Sequence, residues 1–346
     1  MGKKILKNMD WGILVCIVIL LAIGLVALFS ATQGTEYEEF KKQIMWLAIS
    51  IPIMIILTFV DYNTISKISP ILYVLMIISL IAVMFTKSVN GATSWFTIGS
   101  VSIQPAEFAK IIAIISLSTY VAKIQEKGKD QISRPTRLLL ALVIVAVPVL
   151  LIVKQPDYGT ALAYIVAITL MLYVAGIDKK YIITTFIILI VALPLLYFFV
   201  LPDHAKSRIE VYLNPNLDPR GAGYNIIQSK LAIGAGKLLG MGWLNGTQTQ
   251  LGFLYPKTTD FIFPVIGEEA GFIACGLVVI IYVVLITKAI NVAKTASDDL
   301  GSYIAMGIVR NTFISRCRKY RNDNRIAPYN RYTITIYKLW RNIINY

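Results

Sequence analysis

Charge is scarce in this 346-residue chain: Asp, Glu, Lys and Arg together make up 15% of it, where a water-soluble domain carries about 25%. Histidine is nearly missing, with His204 alone, which argues against a histidine-based metal centre. The three cysteines, Cys16, Cys275 and Cys317, have no paired spacing, so neither a disulfide framework nor a zinc site is expected. The glycines fit no phosphate-binding template, because Gly236-Lys237 lacks both the following Ser or Thr and the upstream Gly. Nucleotide binding and redox chemistry are set aside on these grounds.

What is abundant is apolar sequence, 57% of the chain, and it comes in long runs. About 20 such residues cross a hydrocarbon core as a helix, the form in which a chain satisfies its backbone polar groups where lipid cannot. Residues 11–31, 43–60, 68–85, 108–124, 138–153, 161–177, 181–200 and 262–287 read as eight spans, and a ninth begins near Ser302 and stops at Val309. The expected class is therefore an all-α polytopic membrane protein. The first run is too long for a signal-peptide apolar region and is expected to be retained.

Orientation follows from the basic residues of the short connections. With the N-terminus inside, the inner side carries Lys3, Lys4, Lys7, Lys67, Lys123, Lys127, Lys129, Arg134, Arg137, Lys179, Lys180, Lys288 and Lys294, thirteen in all. The outer side carries four, Lys41, Lys42, Lys87 and Lys154. The N-terminus is expected in the cytoplasm, and the longest non-membrane segment, about 201–261, outside. That segment exceeds the about 12–15 residues of an ordinary connector. Seven glycines between Gly221 and Gly246, interleaved with Ile226, Ile227, Leu231, Ile233, Leu238 and Leu239, predict short amphipathic or re-entrant helices packed closely at the membrane surface.

The polar residues left over gather in four segments. Lys110 falls one turn inside the fourth span, where a charge is expensive and either functional or paired; Glu107, three residues earlier, offers an ion pair. Trp95 suits an interfacial aromatic as well as a substrate contact. Asp157 suits a helix cap as well as a ligand. Arg208 has the fork that grips phosphate oxygens, although exposed arginines are commonly only solvated. Asp260 stands where the long segment enters the eighth span, a place that can raise a carboxylate's pKa and suit it to proton abstraction, or make it a cap.

Together these segments say more than each alone. The strings NGATSWF, IQPAEFAK, QPDYGTA, DPRGAGYNIIQSKLAIGAGKLLGMG, NGTQTQ and TTDFIFPVIGEEAG resemble, in order and spacing, the shape, elongation, division and sporulation (SEDS) family that includes RodA and FtsW. The resemblance implies a ten-span helical bundle in the bacterial cytoplasmic membrane. It implies an inverting peptidoglycan glycosyltransferase that polymerises lipid II for shape determination or division, beside a class B penicillin-binding transpeptidase and other cell-wall proteins. It makes Asp260 the catalytic carboxylate and Trp95, Glu107, Lys110, Asp157 and Arg208 substrate-binding candidates. The family's Pro-Glu-x-His stretch before the Thr-Asp pair is replaced here by Tyr255-Pro256-Lys257-Thr258. No cofactor is evident, with Mg²⁺ or Mn²⁺ on the diphosphate left open, and no nucleic-acid partner is expected. A lipid II flippase, or an inactive scaffold for a transpeptidase, are the alternatives from other functional classes.

The stretch from Arg310 to Tyr346 departs from this pattern, with seven Arg, two Lys, one Asp and no Gly. It accounts for +8 of the +14 net charge and interrupts the ninth span. A basic cytoplasmic tail is the plain reading. A frameshift near codon 309–310 is the better one, because reading one base later with suitable codons gives a string containing PLPFISYGG, which resembles the family's ninth and tenth spans. The chain is accordingly divided into a family-type transmembrane domain, 1–309, and an aberrant basic tail, 310–346.

Overall fold

The computed structural model describes residues 9–86, 93–98, 101–200, 203–221, 223–255 and 257–309. The basic stretch 310–346 and Asn90, Gly91 and Ala92 of the NGATSWF segment lie outside the described residues. Each apolar run is helical: α1 (Trp11–Ala31), α2 (Glu38–Thr58), α3 (Tyr62–Val83), α4 (Pro105–Gln125), α5 (Pro135–Lys154), α6 (Tyr158–Val174) and α7 (Lys179–Leu195), which ends in one π-helical turn, Leu196–Val200. The long segment forms α8 (Asp203–Leu213), α9 (Tyr224–Ala235) and the single turn α10 (Thr247–Gln250). Then come α11 (Ile262–Lys294) and α12 (Asp299–Val309), which begins three residues ahead of the expected ninth run.

Two features were not foreseen. A two-stranded antiparallel ribbon, β1 (Phe96–Ile98) and β2 (Val101–Ile103), pairs Phe96 with Ile103 and Ile98 with Val101, so the fold is helical but for this ribbon. The eighth span is not one helix either. It breaks at Gly271, whose φ is 78° and ψ −176°.

α1, α2, α3, α5 and α11 are long and apolar enough to cross a membrane. Their exposure is the reverse of a soluble protein's: α2 buries no residue, and Ile56, Ile71, Leu150 and Phe272 lie open by 61–65% in the isolated chain. Faces this apolar need lipid rather than water. The chain is a multi-pass membrane protein.

The interior has two packed parts. α3, α4, α5 and α6 share one core, centred on the side of α4 where Ala106, Ala109, Ala113 and Leu117 are all 0% exposed; small side chains at these spacings let helices approach closely. α1 and α11 form the other core and run antiparallel, since Asp10 pairs with Lys288 at 3.1 Å while Ser30 meets Glu269. α12 joins them. Its Tyr303, Ile304 and Ile308 enter the first core, Val309 the second, and Ala305 and Met306 pack on Ala293 near the end of α11.

That join sets the registry of the halves. Tyr303 hydrogen-bonds Gln125, the last residue of α4, just as its neighbours touch the last turns of α11. The C-terminal ends of α4 and α11 therefore share one end of the bundle, and their starts share the other. The polar groups at the starts of α4, α6 and α11 therefore stand at that second end.

Candidate functional site

The start of α4 carries the first polar group. Pro105 occupies its first turn, where a missing N–H costs nothing. Gln104, at the N-cap, makes no capping bond; its amide donates to Asp157 Oδ2 at 2.7 Å. The other Asp157 oxygen accepts the Thr160 N–H at 3.1 Å, so this carboxylate caps α6 and ties the starts of α4 and α6 together. One turn on, Lys110 Nζ donates to Glu107 Oε1 at 2.8 Å, with the two side chains 3% and 15% exposed. A lysine this buried needs that partner. Trp95 is buried ahead of β1, and its carbonyl accepts from the Thr86 hydroxyl at 3.1 Å. Gln155, 0% exposed, donates to the Leu80 carbonyl at 2.9 Å, and its Oε1 has no partner among the described residues.

The second group surrounds Asp260. Phe261 is the N-cap of α11, so Asp260 lies one residue outside the helix, part-exposed. Phe261 itself is 0% exposed and packs with Ala31, Leu254 and Val265, which anchors the turn from behind. Two carboxylates follow within α11. Glu268, 0% exposed, accepts the N–H groups of Gln248 at 2.7 Å and Thr249 at 3.0 Å and the Thr249 hydroxyl at 2.6 Å. A buried carboxylate group on the first N–H groups of α10 thus has its oxygens supplied with donors. Glu269 accepts from the Ser30 hydroxyl and from Gln250 Nε2 at 3.2 Å, linking α1, α10 and α11.

At the break at Gly271, residues 237–242 cross α11 beside this network. Met241 and Gly242 donate their N–H groups to the Glu268 and Glu269 carbonyls at 2.8 and 3.0 Å, and Phe272 and Ile273 donate to the Lys237 and Leu238 carbonyls at 2.9 and 3.3 Å. The polar backbone freed by the break is thus satisfied by protein, which non-helical backbone at membrane depth demands. The crossing needs bare backbones: a Cβ on Gly236 would overlap the Gly267 carbonyl, and one on Gly240 the Glu269 carbonyl.

Of the sequence candidates, Trp95, Glu107, Lys110 and Asp157 gather around the starts of α4 and α6, whereas Asp260 belongs with α1, α10 and α11. Arg208 lies on α8, and its side chain is outside the described residues. Ser30, Thr249, Gln250, Lys257, Glu268 and Glu269 were not singled out as site residues. The adjacent carboxylates inside an apolar run were a readable signal; Ser30 and Gln250 gave none. Burial pushes the Lys257 ammonium below the usual lysine range, against the opposing pull of the Glu269 charge. Cys16 and Cys275 are free and buried. Among the described residues no three His, Cys, Asp or Glu side chains gather as a metal cradle.

Residues 10–318 match the model of a cell cycle protein family, that of FtsW, RodA and SpoVE. The peptidoglycan glycosyltransferase MrdB of Escherichia coli K12 is 32% identical over 310 residues, 89% of this chain and 82% of MrdB. The stage V sporulation protein E of Bacillus subtilis is 33% identical over 317 residues, 87% of this chain and 83% of that protein. In three dimensions, a chain from a peptidoglycan synthase complex that coordinates polymerization and crosslinking superposes with a TM-score of 0.79, covering 98% of this chain and 97% of that one at 18% identity. The rod shape determining protein RodA of Thermus thermophilus superposes at 0.70, covering 97% and 95%, also at 18% identity.

Proposed function

The chain belongs to the cell cycle protein family of FtsW, RodA and SpoVE, and from that membership we propose that it is a peptidoglycan glycosyltransferase, polymerising lipid II into glycan strands during cell-wall synthesis. The observation that carries the chemistry is Asp260, a part-exposed carboxylate at the mouth of α11, held from behind by the buried Phe261. Lipid II presents an α-linked sugar diphosphate. A β-linkage forms when an acceptor hydroxyl attacks the anomeric carbon in line, the C–O bond to the diphosphate breaks, and the electron pair leaves on the phosphate oxygen. Asp260 takes the hydroxyl proton. One carboxylate is enough, since the leaving group is already good and needs positive charge rather than a general acid; glycoside hydrolysis, by contrast, requires two.

Lys110 and Arg208 are the proposed diphosphate cations, with Trp95, Glu107 and Asp157 lining the path of the headgroup. The Lys110–Glu107 pair also has a purely structural reading, and the two separate on one variant. Lys110→Ala and Arg208→Ala are expected to weaken lipid II binding about ten- to a hundredfold, the scale of one charge-assisted hydrogen bond. A lower melting temperature with unchanged lipid II affinity would leave Lys110 as a packing residue. Mg²⁺ or Mn²⁺, if carried, would ride on the phosphate oxygens.

The reading continues to ten spans in the family bundle, eight of them complete within 1–309 and the ninth entered by α12, with the segment 201–261 outside and the N-terminus in the cytoplasm. A class B penicillin-binding transpeptidase and other elongation or division proteins are the proposed partners. Orientation is tested by single cysteines at Asn245 and Lys127, both exposed, after replacement of Cys16, Cys275 and Cys317. Asn245→Cys should label from outside and Lys127→Cys only from inside; labelling of both from one side rejects the orientation.

The function itself is tested by feeding purified lipid II to the detergent-solubilised chain and looking for long glycan strands. Movement of lipid II across liposome membranes with no polymer would instead favour the flippase reading.

A further inference from the structure

Three residues ahead of Asp260 stands a lysine for which the transfer as written has no use. The Lys257 ammonium donates to the Thr249 carbonyl at 2.8 Å. Thr249 cannot yield, because its own N–H and hydroxyl are both held by Glu268 on α11. Lys257 thus ties its turn to the clasp between α10 and α11, and four residues later Phe261 ties the same turn to α1 and Leu254. Asp260 lies between these two anchors. A short turn fixed at both ends has little freedom, and a base must be held within hydrogen-bond reach of its proton to work.

We propose that Lys257 is a positioning residue for the glycosyl transfer, its ammonium clamping the Asp260 turn to α10; the proposal rests on the catalytic assignment of Asp260. The charge that acts on it is Glu269 of α11, while Glu268 of α11 reaches it only through the Thr249 it holds, and α10 contributes only Thr and Gln. A charged donor makes the stronger bond to a carbonyl, so the clamp is at full strength while Lys257 is protonated and weakens as pH rises through its pKa. Because burial lowers that pKa, the weakening sets in below the pH at which an exposed lysine titrates. Arginine keeps its charge throughout.

The experiment compares the full chain with Lys257→Gln and Lys257→Arg, measuring kcat and KM for lipid II polymerisation across pH. Hydrogen exchange over residues 257–263, corrected for its intrinsic pH dependence, is followed in parallel. Lys257→Gln should lower kcat about ten- to a hundredfold, the cost of small misplacement of a catalytic group, with KM within about twofold, and should speed exchange across the turn. Lys257→Arg should restore most of kcat and move the alkaline fall in kcat to higher pH. Wild-type kcat in Lys257→Gln, or an alkaline fall that stays put in Lys257→Arg, overturns the proposal, and a raised KM at unchanged kcat does so by making Lys257 a substrate contact. If neither the unaltered chain nor one with 310–346 replaced by the reading one base later makes polymer, it is the glycosyltransferase reading that fails. The exchange measurement needs no substrate, and Lys257→Gln exchanging like the unaltered chain would still remove the clamp.

Discussion

Asp260→Asn should fold, bind lipid II and make almost no glycan, with turnover reduced by at least about 10²–10⁴, the usual contribution of a positioned general base. The substitution keeps the size of the side chain and most of its hydrogen-bonding capacity, and removes only the ability to accept the proton. Neither anchor of the turn is touched: Phe261 remains in its apolar contacts with Ala31, Leu254 and Val265, and Lys257 keeps the Thr249 carbonyl. The start of α11 is also preserved, because its N-cap is Phe261. A loss of polymer with an unchanged melting temperature and unchanged lipid II affinity is therefore a loss of chemistry. Wild-type polymer from Asp260→Asn would remove the catalytic assignment. The measurement is made on the 346-residue chain and on one in which 310–346 is replaced by the reading one base later, while resequencing the gene from an independent clone tests the proposed frameshift directly.

The helices were legible because a membrane leaves an apolar run little other choice, and all eight runs are helical. Their edges were not, since they are set by groups that hydropathy ignores. α3 starts at Tyr62 rather than 68 because Asp61 caps it, accepting the Asn63 N–H at 2.9 Å. α2 starts at Glu38 rather than 43 because its charged first turn stays helical outside the apolar run. Lys110, Glu107, Asp157 and Asp260 stood out as charges beside apolar sequence, and the bonds of Lys110 and Asp157 are the ion pair and the helix cap weighed for them. Ser30 and Gln250 could not stand out. A single hydroxyl in an apolar helix and an amide in a loop acquire meaning only when α1, α10 and α11 meet around Glu269. The break in α11 is of the same kind: GEEAG reads as a continuing span until GKLLG, with glycines at the same four-residue spacing, is laid across it.

That crossing is where a single methyl group should do most harm. Gly271 has φ 78° and ψ −176°, a backbone region that is essentially glycine's alone and costs other residues about 1–3 kcal/mol. A Cβ there would also overlap backbone atoms of Gly240, Leu238 and Leu239, and overpacking of this sort costs about 1–3 kcal/mol more. Gly271→Ala is therefore expected to destabilise the protein by about 2–6 kcal/mol, seen as a lower melting temperature in detergent. The damage should spread to the site. Pushing residues 237–242 off α11 frees the Glu268 and Glu269 carbonyls and the Phe272 and Ile273 N–H groups that now bond across the crossing, and with them the clasp on α10 from which Lys257 holds the Asp260 turn. Gly234→Ala is the control. It lies in α9 with nothing within 4 Å of its would-be Cβ, and in a helix Ala is favoured over Gly by about 1 kcal/mol, so that variant should melt at or above the unaltered chain's temperature. Equal melting of both variants with the unaltered chain would mean that the crossing at Gly271 is not what holds this end of the bundle together.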